Sequence, residues 1–132
     1  MDTREIGRAI KSLLVNDSEA AALIGNKVFP FPAIEDTDFP FACYMMNGLV
    51  PRYTKDRPSF EDTVTMELMI WSEDYGQKIA VANACHKALQ GKRGTIEGFD
   101  ITEIRRTGES EEFMEGAYGQ SIIYEIDINT YK

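Results

Sequence analysis

Residues 63–89 (TVTMELMIWSEDYGQKIAVANACHKAL) constrain the fold more than any other part of the chain. Val64, Met66, Leu68 and Ile70 alternate with Thr63, Thr65, Glu67, Met69 and Trp71. Alternation with a period of two makes a strand with one apolar and one mixed face. Ser72 stands where a helix N-cap is expected, and Glu73 and Asp74 put negative charge at the positive end of the helix dipole. Tyr75, Ile79, Ala82, Cys85, Ala88 and Leu89 recur at three- and four-residue steps, which gathers them on one helix face. Gly91 is expected to close the helix. The strand spans about 30 Å at ~3.3 Å per residue, and the helix about 25 Å at ~1.5 Å per residue. The helix can therefore lie along the sheet and cover its apolar face.

The rest of the chain supplies elements that can join this unit. Asp2 and Glu5 resemble a capping box, and Ile6, Ala9, Ile10, Leu13 and Leu14 mark the apolar face of a helix over residues 3–15. Asn16 and Glu19 repeat the capping signature before a short helix over residues 18–24, which Gly25 ends. Val28, Phe29 and Pro30 leave that helix extended. Pro30, Pro32 and Pro40 make residues 30–40 a loop. Residues 41–47 (FACYMMN) read as a first strand, buried on both faces, and residues 48–59, with Pro51 and Pro58, as an exposed basic loop. Residues 92–98 form a turn, and residues 99–104 alternate as a third strand. Residues 108–119 (GESEEFMEGAYG) read as an acidic, glycine-rich loop before a last strand carrying Ile122, Tyr124, Ile126 and Ile128 on one side. The expected fold is a single α+β domain over residues 1–132. It has a four-stranded, mainly antiparallel sheet with helices packed on one face, in the order α-α-β-β-α-β-β.

Charge narrows the function classes. The 132 residues carry a formal net charge of −8. Between Glu97 and Asp127 nine acidic residues face only Arg105 and Arg106. Specific nucleic-acid binding is not expected, because its affinity comes from Lys and Arg neutralising phosphates. The charged, amphipathic start MDTREIGRAI lacks the apolar region of a signal peptide, and no run approaches the ~20 apolar residues of a membrane span. Folding in a cytoplasm, with no membrane partner, is the expectation. Cys43 and Cys85 each sit among apolar neighbours and read as reduced, buried thiols.

A search for catalytic chemistry returns nothing. His86 is the sole histidine, and adjacent helix positions point about 100° apart, so Cys85 and His86 make no nucleophile–base pair. A Cys43–His86 dyad is geometrically open. Two scattered cysteines and one histidine lack the spacing of a zinc site. Gly91-Lys92-Arg93-Gly94 follows a helix instead of preceding one, so it cannot cradle a phosphate as a P-loop does. No catalytic residue, metal site or cofactor is expected, and the chain does not read as an enzyme. Interaction chemistry is better supplied. Phe113, Met114 and Tyr118 lie among Glu109, Glu111, Glu112 and Glu115, as large side chains that can anchor in a partner's pocket. Arg52, Tyr53, Lys55 and Arg57 form a basic counterpart. One basic and one acidic segment on the same monomer suit a heterologous, head-to-tail contact, which closes into rings.

The order of motifs resembles a known family, the tail completion (tail-to-head joining) proteins of long-tailed bacteriophages and prophages. The carrying residues are Leu23-Ile24-Gly25-Asn26-Lys27-Val28-Phe29-Pro30, then Phe39-Pro40-Phe41-Ala42-Cys43-Tyr44. Residues 64–71, Asp74-Tyr75, residues 80–89 with Gly91, and residues 122–131 complete the match over nearly the full chain. The resemblance implies a structural subunit in a ring, a hexamer, at the head-proximal end of the tail. Such a ring stops tube polymerisation, contacts the tail tube protein and presents a surface to the head completion or connector protein. It carries over no catalytic residue. The implied location is the virion tail, after assembly in the bacterial cytoplasm. DNA must pass such a ring without sticking, so part of the acidity of residues 97–127 (Glu109, Glu111, Glu112 and Glu115) is expected to face a pore. The alternatives are a head–tail connector subunit, a small acidic inhibitor or DNA mimic, and a small hydrolase using Cys43 or the carboxylates.

Overall fold

A computed structural model describes residues 2–33, 36–54 and 57–130, and the side chains of all of these except residues 53, 54 and 57–59. A short 3₁₀ turn, Thr3–Glu5, leads into helices α1 (Gly7–Val15) and α2 (Ser18–Ile24). Strands β1 (Val28–Pro30), β2 (Phe41–Thr54) and β3 (Arg57–Ser72) follow, then helix α3 (Tyr75–Leu89) and strands β4 (Gly94–Ile96), β5 (Phe99–Met114) and β6 (Ala117–Asn129). The strands form one six-stranded sheet in the order β1-β2-β3-β6-β5-β4. β1 runs parallel to β2, and the other neighbours are antiparallel.

This corrects the expected four-stranded α+β sheet. The sheet has six strands and is mixed, and about half of the described residues lie in strands. Two of the differences are very short strands, three residues each, at the sheet's margins. The others are extensions. β2 and β3 continue through what reads as the basic loop, pairing Arg52 with Glu61 and Thr54 with Arg57. β5 and β6 continue through what reads as the acidic loop, down to the pair Met114–Ala117. Bulges between Met46 and Gly48 and between Arg106 and Gly108 break the alternation that would have revealed them.

The helices pack on the face that carries Val64, Met66, Leu68 and Ile70 of β3. The sheet register brings Ile126, Tyr124 and Ile122 of β6 beside the first three. Ile101 and Ile104 of β5 extend the same surface, and Ile6, Ile10, Leu14, Ile24, Val81, Cys85 and Leu89 cover it. Burying each large aliphatic side chain contributes roughly 1.5–3 kcal/mol, so this layer dominates stability. Gly7 opens α1 where it crosses β2: a Cβ there would stand 2.1 Å from the Tyr44 ring. Only glycine permits that approach.

Asp2, Gly25 and Gly91 stand at the helix ends as expected, but the N-caps of α2 and α3 fall one or two residues from their expected places. Asp17, not Asn16, caps α2 by accepting a hydrogen bond from the Ala20 amide at 3.0 Å. Asp74, not Ser72, caps α3 by accepting from the Gln77 amide at 2.8 Å. Ser72 Oγ instead accepts from the Asp74 amide and donates to Gln77 Oε1, which fixes the corner between β3 and α3. No described helix is long and apolar enough to cross a membrane.

Candidate interaction surface

Two long hairpins, β2–β3 and β5–β6, point to opposite ends of the sheet, because β3 lies antiparallel against β6 between them. The predicted basic segment falls on the first. Arg52 lies in β2 with its Nε 3.5 Å from Glu61, and Tyr53 is also in β2. Arg57 opens β3, and Lys55 lies outside the described residues. The predicted acidic segment falls on the second, whose tip is a two-residue turn. Glu115 and Gly116 there have φ of 53° and 81°, the left-handed pattern that matches strand twist in a tight hairpin.

The four predicted pore carboxylates divide by environment. Glu109 pairs with Arg106 at 2.7 Å and accepts from Gln120 Nε2 at 3.0 Å. Glu111 accepts from Lys78 Nζ and from the Tyr75 hydroxyl, each at 2.5 Å. These two bonds, the lysine's foremost, hold the Glu111 carboxyl below its usual range. Lys78 itself is fully buried, with its ammonium 4.1 Å from the centroid of the Tyr75 ring. The helix pattern gives no warning of it, because its partner lies 33 residues away in sequence. Glu112 and Glu115 are exposed.

The predicted aromatic anchors also divide. Phe113 is 62% exposed and meets Tyr118 edge-on at 4.9 Å, and Tyr118 in turn meets Tyr75 at 5.5 Å. Met114 is 56% exposed and lies in a groove of about 250 Å³ with Phe31, Phe39, Phe41, Cys43, Trp71 and Ala117. Sequence reasoning missed this groove. Its walls come from the proline-rich segment before β2, the end of β3 and the hairpin tip. The Trp71 ring lies so close over Gly119 that a Cβ there would meet it at 2.9 Å.

The sheet face away from the helices is polar over most of its length and acidic. By strand alternation it carries Glu61, Glu67, Asp100, Glu103, Glu112, Glu125 and Asp127 against Arg52 and Arg105. Arg105 lies within 2.7 Å of Asp127 and 3.3 Å of both Glu103 and Glu125. Burial pushes the Asp127 carboxyl up, but hydrogen bonds from Arg105 and from Thr63 Oγ1, the latter 2.7 Å long, outweigh it and hold the group below its ordinary value. Glu67 accepts from Ser121 Oγ at 2.5 Å and from Asn47 Nδ2 at 3.1 Å.

The open Cys43–His86 dyad does not form. Cys43 lies on the helix-free face, whereas His86 contacts the helix-covered face, with its Nδ1 2.9 Å from the Tyr124 hydroxyl. Both cysteines are free and buried, and burial pushes the Cys43 thiol up to about 11 and that of Cys85 to about 12. Burial also lowers the His86 imidazole below its usual value. Among the described residues, no three His, Cys, Asp or Glu side chains gather where they could hold a metal ion.

A family model described as tail completion protein gp17 matches residues 8–119. A chain in a structure of the virion of a native gene transfer agent particle is similar in fold, with a TM-score of 0.75 and 13% sequence identity over 94% of each chain. No curated protein matches the chain.

Proposed function

Because the chain belongs to the tail completion protein gp17 family and is a structural protein of the head-proximal end of a phage-type tail, we propose that it acts there as a ring of identical copies. The ring, a hexamer in this reading, ends growth of the tail tube on one side and receives the head completion or connector protein on the other. It is assembled in the bacterial cytoplasm and transforms no molecule. Family membership over residues 8–119 is the observation that carries this reading.

The geometry supports a division of labour among surfaces. The exposed Phe113 and Met114 and the apolar groove beside them suit anchoring in a neighbouring protein. The basic residues Arg52, Tyr53, Lys55 and Arg57 are proposed as the other half of a head-to-tail contact. The excess of carboxylate on the helix-free face suits a lumen through which DNA passes, because like charge keeps phosphate from binding. Glu112 and Glu115, which are exposed, are better placed for that role than Glu109 and Glu111, whose oxygens are held by neighbouring side chains. The same face speaks against a DNA mimic: Arg105 sits amid its carboxylates, whereas a mimic needs an unbroken row of negative charge.

Removing the gene from the phage or prophage that encodes it tests the role. The expected particles are filled heads without tails, together with tails that are unattached or of irregular length. Complete particles of normal tail length would contradict it.

A further inference from the structure

The four long strands alternate in direction across the sheet, in the order β2, β3, β6, β5. Outside them, β1 covers β2 only from Ala42 to Tyr44, and β4 covers β5 only from Phe99 to Ile101. Among the described residues, the outer edge of β2 over residues 45–54 and that of β5 over residues 102–114 therefore have no strand partner. Each is a row of backbone donors and acceptors able to pair with another strand. The two rows differ in charge. Residues 102–114 carry Glu103, Glu109, Glu111 and Glu112 against Arg105 and Arg106, a net charge of −2, whereas residues 45–54 carry Arg52 and no carboxylate, a net charge of +1.

Strand direction adds a second condition. A copy shifted sideways in the plane of the sheet brings its β5 antiparallel to the first copy's β2, the better-paired arrangement of a ladder. Pairing β5 with β5 would instead bring together two segments that each carry a net charge of −2. Both edges are also irregular: β2 has a bulge between Met46 and Gly48 and a proline at 51, and β5 has a bulge between Arg106 and Gly108. Such breaks discourage pairing with an arbitrary strand and leave the edge to a partner of matching shape.

We propose that successive copies join edge to edge, residues 102–114 of one copy along residues 45–54 of the next, so that one sheet runs through the assembly with all helices on one side. The proposal rests on the ring reading above and names its contact. A contact between two different edges leaves one of each free at the ends, so it closes only as a ring.

The test uses the full-length protein carrying the photo-crosslinker benzoylphenylalanine at Asn47 or, separately, at Thr107. Unlabelled protein is mixed with nitrogen-15-labelled protein, so mass spectrometry identifies links between copies. Native mass is measured on the same samples. The expected result is an oligomer in which Asn47 links to residues 102–114 of a differently labelled copy, and Thr107 to residues 45–54. An oligomer cross-linked only through other segments overturns the edge contact and leaves the ring standing. A dimer linked β2 to β2 overturns the head-to-tail arrangement, and a monomer at every concentration overturns both the contact and the ring.

Discussion

Lys78 and Glu111 set the position of the β5–β6 hairpin against α3. The ammonium is buried and, among the described residues, is paired with the Glu111 carboxylate, so removing that carboxylate strands a charge away from water, which costs more than the pair contributes. Glu111→Gln is expected to lower the melting temperature by several degrees. Adding Lys78→Met, which keeps the stem and removes the charge, should restore most of the loss, and calorimetry of the single and double variants checks the coupling. Asp127 makes a prediction in pH. Its folded carboxyl lies below its ordinary value, so the unfolded chain binds its proton first. The stability it contributes is complete above about pH 4 and is lost as pH falls from there through its lowered folded value. Asp127→Asn should flatten this part of the acid limb of a urea-denaturation series.

The hairpin turns decide how much of each element could be read from the sequence. At the tip of β5–β6, Gly116 sits at φ 81° with nothing within 4 Å of where a Cβ would be. Gly116→Ala is therefore strained by its backbone alone, and should lose more than about 1 kcal/mol in chemical denaturation. The same Glu-Gly pair recurs at Glu97-Gly98, with φ of 52° and 84°, between β4 and β5. Read as a hairpin signal, that repeat would have marked both turns, and with them the extension of β5 and β6. What was legible is what burial imposes: Val64, Met66, Leu68 and Ile70 on one face of β3, and Ile122, Tyr124, Ile126 and Ile128 on one face of β6. Distal strand segments have no core to face, so they keep glutamates, glycines and prolines that look like loop. β1 and β4, at three residues, are too short to show a period. The groove around Trp71 and the pairing of Lys78 with Glu111 depend on contacts between distant segments, and no local pattern announces them.

At the scale of the whole molecule, the helices cover one side of the sheet and leave the other acidic, and two strand edges remain open at opposite margins. A molecule so built has more surface prepared for neighbours than for small ligands, which fits membership in a family of tail structural proteins. In the proposed assembly, copies of this chain form a closed ring. Native mass spectrometry of the purified protein across a wide concentration range, paired with electron microscopy of the same sample, tests it most directly. One dominant mass at a fixed multiple of the 14.9 kDa chain is expected, with annular particles on the grid. A monomer at every concentration, with no annular particles, would contradict it.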